Sequence, residues 1–136
     1  MNDDITLTNI EELEDPRNMF NIVMLYADAT GKNPWECMAY VFNPAKHTVI
    51  MWAGGKIIGY INTEIVDGNQ LFINHAFIKY KIENKPALLD AMIKKIGDKL
   101  NYTFPNAEMH SEQPQRLWEQ WGFKPTNMVV YKREVE

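Results

Sequence analysis

Two side chains near the middle of the chain have the chemistry of a general base. His75 is the better candidate, because the ordinary pKa of an imidazole is about 6.5 and its proton exchanges near neutral pH. Glu64 is the second candidate, since a carboxylate can accept a proton directly or through a water molecule. Each also has a structural interpretation: His75 as a histidine satisfied by its neighbours on a sheet face, and Glu64 as a solvent-facing strand residue. The sequence leaves both interpretations open.

Other reactive residue types lack recognisable partners. Cys37 is the single cysteine, and no histidine can be assigned to it as a base, so we expect a buried thiol without a catalytic role. His110, Ser111 and Glu112 are adjacent, but adjacency in sequence does not produce the geometry of a catalytic triad. One cysteine also excludes an internal disulfide, and no cysteine–histidine group has zinc spacing, so we predict no metal site.

Length and composition describe a globular chain with a hydrophobic core of its own. The chain has 136 residues, of which 46% are hydrophobic and 24% charged, and we expect one domain spanning residues 1–136. No apolar run approaches the roughly 20 residues of a membrane span, and the first residues are acidic, unlike a signal peptide. We therefore predict a cytoplasmic protein without membrane partners. A formal net charge of −4 weighs against nucleic acid as a partner.

Hydrophobic periodicity and turn residues predict an alternation of strands and helices. The predicted strands are residues 5–7, 48–53, 56–66, 70–78, 107–110 and 128–133. The predicted helices are a short one opened by a capping box at 8–11, a longer one from Pro16 to a stop at Gly31, and two more at 86–100 and 114–121. A loop is expected around Asn33 and Pro34, and tight turns at 54–55 and 67–69. This element order is that of an α+β protein with one central crossover helix.

The two long helices have distinct signals. Asp15 is the expected N-cap of the first, with Pro16 at its first position. Its predicted apolar face consists of Met19, Ile22, Val23 and Tyr26. The helix at 86–100 is predicted to bury Leu89, Ile93, Ile96 and Leu100, with its lysines on the opposite face.

Two segments resemble a known family. Residues 117–125, LWEQWGFKP, are similar to the "LYEKLGF" signature that closes the GNAT superfamily of N-acetyltransferases, and residues 51–60, MWAGGKIIGY, are similar to its "VAEDGKIVGY" hairpin. The predicted element order is also that of GNAT domains. The resemblance implies a GNAT-like (acyl-CoA N-acyltransferase) fold, a mixed and mostly antiparallel twisted sheet flanked by helices, and acetyl-CoA as co-substrate.

The loop that holds the cofactor in this family departs from the family pattern. GNAT domains carry R/Q-x-x-G-x-G/A where this chain has residues 82–87, and only Ala87 fits. Ile82 replaces the Arg or Gln, Lys85 replaces the central glycine, and Pro86 donates no N–H. One interpretation is that Lys85 and its neighbours substitute a charged contact for the lost amides. The other is that Asn84 and Pro86 simply begin a helix.

The resemblance also implies roles for individual residues. Cofactor contacts fall to the backbone near Phe77 and Ile78, at the splayed end of the family's fourth strand, and to Asn84, Lys85 and Ala87. The base is His75, with Glu64 second. The family's acidic tyrosine is replaced by Trp118, whose indole N–H does not release its proton, and Tyr60 or Tyr131 could stand in for it.

Two functions from different classes follow. The first is an acetyl-CoA-dependent N-acetyltransferase that acts on an amine of a small molecule or a protein. The second is a catalytically degenerate GNAT-fold protein that acts as a binding or structural component. Small divergent chains of this type occur in phage genomes, so a phage origin is an expectation, as is a homodimer or a protein partner at the C-terminal edge strand. Group transfer onto nucleic acid is a third function, against which the acidic charge weighs.

Overall fold

The computed structural model of the chain describes residues 4–66, 70–79, 82–104 and 107–109. Its helices are α1 (Pro16–Thr30), α2 (Pro34–Val41) and α3 (Lys85–Leu100), and a short 3-10 helix, Ile10–Glu12, precedes α1. Its strands are β1 (Ile5–Asn9), β2 (Lys46–Ala53), β3 (Lys56–Val66), β4 (Gln70–Ile78) and β5 (Ala107–Met109). No helix in these ranges is long and apolar enough to cross a membrane.

The strands form a single sheet in the order β1-β2-β3-β4-β5. The pairs from β1 to β4 are antiparallel, whereas β5 lies parallel to β4 and pairs with its residues 71–73. Gly54 and Gly55 join β2 to β3 with φ values of 58° and 78°, the left-handed conformation that a two-residue hairpin turn requires. The predicted mixed, mostly antiparallel sheet is confirmed.

Helices cover both faces of the sheet. Because side chains alternate across a strand, β2, β3 and β4 each contribute to two cores. The first core lies under α3 and contains Val49, Met51, Ile61, Leu71, Ile73, Leu89, Met92 and Ile96. The second lies under α1 and α2 and contains Ile22, Val23, Tyr26, Cys37, Val41, Ile50 and Tyr60.

Local signals at the start of α1 act as predicted. The Asp15 carboxylate accepts a hydrogen bond from the Arg17 N–H (2.9 Å), and Pro16 occupies the first helical position. Gly31 ends the helix with a φ of 71°. The predicted bounds of β3 and β4 are also confirmed, while β2 begins two residues earlier than the predicted residue 48 and α3 one residue earlier than residue 86.

Three local predictions are wrong. The loop around Asn33 and Pro34 is the start of α2, where the Asn33 side chain accepts from the Trp35 N–H (2.8 Å). The capping box lies one residue later than predicted, because the Glu12 carboxylate accepts from the Asn9 N–H. On α3, Leu100 is 38% exposed rather than buried, and Met92, which the predicted apolar face did not include, is fully buried.

Several predictions concern residues outside the described ranges. These are the turn at 67–69, residue 110 of the strand at 107–110, the helix at 114–121 and the strand at 128–133. The signature at 117–125 lies there too, and with it Trp118 and Tyr131.

Candidate functional site

A bulge in β4 shapes the centre of the sheet. Asn62 pairs with His75 and Thr63 pairs with Ile73, so Asn74 is an additional residue on β4. Ile73 and Ala76 both belong to the core under α3, with two residues rather than one between them. As a consequence, His75 faces α1 and α2 instead of α3.

Beyond the bulge, one edge of β4 carries backbone groups that no described strand pairs. The Lys79 N–H donates to the Ile58 carbonyl across the β3 side (2.9 Å). Because donors alternate in direction along an antiparallel strand, the Phe77 N–H also points to β3, and the Ile78 N–H points to the opposite edge. Of the two backbone positions expected to serve a cofactor, Ile78 therefore has the suitable direction and Phe77 does not.

The start of α3 lies just after this strand. Asn84 is the N-cap with φ 59° and ψ 41°, and its side chain makes no capping hydrogen bond. The Leu88 N–H donates to the Asn84 carbonyl (3.0 Å), so it is satisfied within the helix. Pro86 removes one amide from the first turn, whereas Ala87 is exposed and its N–H has no acceptor within the helix. Lys85 is half-buried at the first helical position.

These donors fit part of a coenzyme A thioester. An extended chain that bears amide groups can add to the edge of β4 near Ile78, as peptides add to sheet edges. The α3 start fits a diphosphate less well, because Pro86 occupies a position where an amide would point at the anion. Of the residues predicted to contact a cofactor, Ile78 and Ala87 thus have backbone N–H groups that no described strand or turn of α3 pairs.

His75 is joined to Tyr60 within a group of stacked rings. The Tyr60 hydroxyl and His75 Nδ1 form a hydrogen bond of 2.8 Å. The Tyr26 ring packs on both, at 5.2 Å from the Tyr60 ring and 5.5 Å from the imidazole, and Phe77 stacks on Tyr60 at 5.9 Å. Tyr60 is fully buried. The packing holds the imidazole plane in one orientation.

The electrostatic environment keeps His75 neutral. Burial, and then the positive charge of Lys32, lower the pKa of His75 to about 4. Burial raises the pKa of Tyr60, so that its hydroxyl keeps its proton at every physiological pH. When Nδ1–H donates to the Tyr60 oxygen, Nε2 carries the lone pair and is the nitrogen that can accept a proton.

The lowered pKa of His75 makes folding stability depend on pH. Between pH 6.5 and 4 the unfolded chain binds a proton at this histidine and the folded chain does not, so stability is present above pH 6.5 and is lost as the pH falls through this window. The shift corresponds to about 3 kcal/mol. Denaturant unfolding from pH 7 to pH 4 is expected to show this loss, and His75→Asn should remove most of it. An equally steep pH dependence in His75→Asn would contradict the assignment.

Glu64 lies apart from His75. Its carboxylate accepts a hydrogen bond from the Lys46 ammonium (3.3 Å), and its side chain is 36% exposed. His75 pairs with Asn62, two residues before Glu64 on β3, so the two candidate bases are about 7 Å apart along the strand direction. The structure does not bring them together.

A buried polar network beside His75 was not predicted. The fully buried Asn62 amide donates to the Tyr40 carbonyl (3.0 Å) and to Thr48 Oγ1 (2.8 Å), and its oxygen accepts from the Asn74 amide (3.1 Å). It connects α2, β2 and the bulge in β4. The one sequence signal was a pair of polar residues, Asn62 and Thr63, inside an otherwise apolar strand. Cys37 is buried, as expected.

Comparisons with known proteins agree with this architecture. No protein-family model matches the chain, and no curated protein matches it. Among solved structures, a ribosomal-protein-alanine N-acetyltransferase from Brucella melitensis biovar Abortus 2308 superposes with a TM-score of 0.67 at 13% identity, over 97% of this chain and 100% of that one. The aminoglycoside 6'-N-acetyltransferase AAC(6')-Ih from Acinetobacter baumannii has a TM-score of 0.64 at 12% identity, over 98% and 99% of the two chains.

A third structure contains an analogue that combines both substrates. AAC(6')-Iy in complex with the bisubstrate analogue CoA-S-monomethyl-acetylneamine has a TM-score of 0.67 at 12% identity, over 97% of this chain and 99% of that one. Identities this low establish the shared fold rather than a shared substrate. The chain therefore has the fold of the GNAT superfamily of acetyltransferases.

Proposed function

We propose that this chain is an N-acetyltransferase that uses acetyl-CoA to acetylate an amine of a small molecule or a protein. The observation that carries the proposal is the edge of β4 beyond the bulge, where the Ile78 N–H points away from β3, three residues along the strand from His75, which is hydrogen-bonded to Tyr60. The fold supports it, since the solved structures that superpose on the chain include acetyltransferases for a ribosomal protein and for aminoglycosides.

Each group has one task in the proposed reaction. The amine attacks the carbonyl carbon of the acetyl-CoA thioester, so the C–N bond forms, the C–S bond breaks, and coenzyme A leaves as a thiolate that takes a proton from solvent. The Ile78 N–H donates a hydrogen bond to the carbonyl oxygen on which negative charge develops. In the tautomer whose Nδ1–H donates to the Tyr60 oxygen, His75 Nε2 accepts the proton that the amine loses. Tyr60 is a positioning residue, because its hydroxyl is buried and engaged with the imidazole.

A base as weak as His75 suits the proposed reaction only if the acceptor amine is already largely deprotonated when it binds. A pKa near 4 leaves His75 unprotonated at neutral pH, but its affinity for a proton is small. We therefore propose that most of the deprotonation of the acceptor ammonium occurs before attack, with rates that rise with pH towards the pKa of the acceptor. Glu64 is the second candidate for the base, through a water molecule.

Cofactor binding can be tested by thermal unfolding with millimolar CoA or acetyl-CoA. A ligand that binds the folded state alone raises the unfolding midpoint, and at about 100 times its dissociation constant it adds about 2.7 kcal/mol of stability. Lys85→Glu places a negative charge at the start of α3 and is expected to reduce the shift. Lys94→Glu, on an exposed part of the same helix, is the matched control and should leave the shift unchanged.

Three outcomes are informative. No shift at saturating CoA contradicts the proposal. A shift followed by acetylation in a panel of amines, detected by mass spectrometry, supports it. A shift without acetylation of a peptide N-terminus, a lysine side chain or an aminoglycoside favours the degenerate binding protein, for which the loss of an amide at Pro86 is the structural argument.

A further inference from the structure

A pocket of 290 Å³ lies on the face of the sheet covered by α1, at the end of β4. It is bounded by the first half of α1, by the start of β3 and by Lys79, which follows β4. This volume corresponds to about ten water molecules. The Ile78 N–H lies in the plane of the sheet and points to its other edge, so the pocket is separate from the backbone donors proposed for acetyl transfer.

The polar groups of the pocket suit an anion. Lys56 and Lys79 line it with cationic side chains, and Asn18 and Asn21 line it from α1. None of the described residues that line the pocket is an aspartate or a glutamate. Within the described part of the chain, none of the ion pairs involves Lys56 or Lys79. Two cationic side chains without a lining carboxylate create a positive potential inside the pocket.

The remaining wall is apolar and held in place. Trp52 and Ile57 line it, and both pack against the core under α1. The Trp52 Nε1–H donates to Thr8 Oγ1 (2.8 Å), which fixes the indole plane relative to β1. A flat hydrophobic group can therefore stack or pack on a preformed surface while its charged end meets the lysines.

We propose that this pocket binds a small organic anion with a flat apolar body, of which an aromatic carboxylate is the simplest example. Inorganic phosphate satisfies the ammonium groups but leaves the Trp52 wall uncovered. An amine of the same shape brings a like charge to Lys56 and Lys79. Charge and shape together select the carboxylate.

The probe for the test is benzoate, with benzylammonium as its counterpart of similar shape and opposite charge. Titration of benzoate is followed by NMR at the Trp52 indole N–H, assigned with Trp52→Phe. We expect the indole N–H resonance to shift saturably with benzoate, and we expect the Kd to rise as salt is raised from about 20 mM to about 500 mM. Benzylammonium should give no saturable shift. Absence of a benzoate shift, or equal shifts with both probes, overturns the proposal.

Variants locate the site. Lys56→Met and Lys79→Met keep the aliphatic stems and remove the charges, and each is expected to raise the Kd for benzoate about fivefold. The double variant should raise it about 20-fold. Lys94→Met removes an exposed charge on α3, away from the pocket, and should leave the Kd unchanged. An unchanged Kd in the double variant, with the fold intact by NMR, overturns the assignment. If saturating CoA abolished benzoate binding, the two ligands would share one site. That result would overturn the claim that the pocket is separate from the co-substrate site.

Discussion

Replacing His75 by asparagine is expected to lower the kcat of acetyl transfer by about 100-fold, which is the lower end of what a general base contributes and suits a base this weak. The asparagine side chain can keep a hydrogen bond to the Tyr60 hydroxyl, but it has no nitrogen that accepts a proton. The KM for acetyl-CoA should change little, since the proposed co-substrate contacts are backbone groups. Steady-state kinetics over a range of pH measures both values.

Two further variants decide how a lower kcat in His75→Asn is interpreted. Tyr60→Phe keeps the stacked ring, removes the hydrogen bond to His75 Nδ1 and should lower kcat by about tenfold. Glu64→Gln should retain kcat within about threefold, because it removes only a partly buried ion pair with Lys46. Full activity in His75→Asn together with a collapse in Glu64→Gln would transfer the role of base to Glu64.

Replacing Asn62 by leucine is expected to destabilise the protein by about 3 kcal/mol. The two side chains have similar volumes, so the effect is not that of a cavity. Leucine removes all three hydrogen bonds of a fully buried side chain and leaves the Asn74 amide and the Tyr40 carbonyl without that partner. Each buried polar group left unsatisfied costs about 1–3 kcal/mol. Guanidinium unfolding with an unchanged m value would measure the difference.

Thr63→Val is the matched control for this prediction. Thr63 is the next residue on β3 and is equally buried, but its hydroxyl makes a single hydrogen bond, to the His47 carbonyl (2.8 Å). Its replacement by an isosteric valine should cost about 1 kcal/mol. If Asn62→Leu costs no more than Thr63→Val, the network contributes nothing beyond one hydrogen bond, and its role in joining α2 to the sheet is wrong.

The sequence by itself determined the elements that depend on neighbouring residues. Strand-forming residues between turn signals predicted β3 and β4 with their bounds, and adjacent glycines predicted the hairpin turn before β3. Asp15 and Gly31 predicted both ends of α1. The resemblance to GNAT domains predicted the fold that the solved structures share.

The helix α2 could not be predicted from the local sequence. Asn33 and Pro34 are a cap and a first-position proline like Asp15 and Pro16, yet the eight residues of α2 are too few for a clear helical period. A helix this short is marginal in isolation, and its stability comes from burying Cys37 and Val41 against the sheet. That contact joins residues far apart in the chain, and no local pattern reports it.

The tertiary structure alone decided which groups meet at the candidate site. Strict alternation from Ile73 would place His75 on the face under α3, because side chains two residues apart lie on the same side of a strand. The bulge at Asn74 reverses this and brings His75 to Tyr60. The direction of the Ile78 N–H depends likewise on the register between β3 and β4. A bulge and a register are set by the packing of whole strands against two cores. The candidate residues could therefore be predicted from the sequence, but the contacts between them could not.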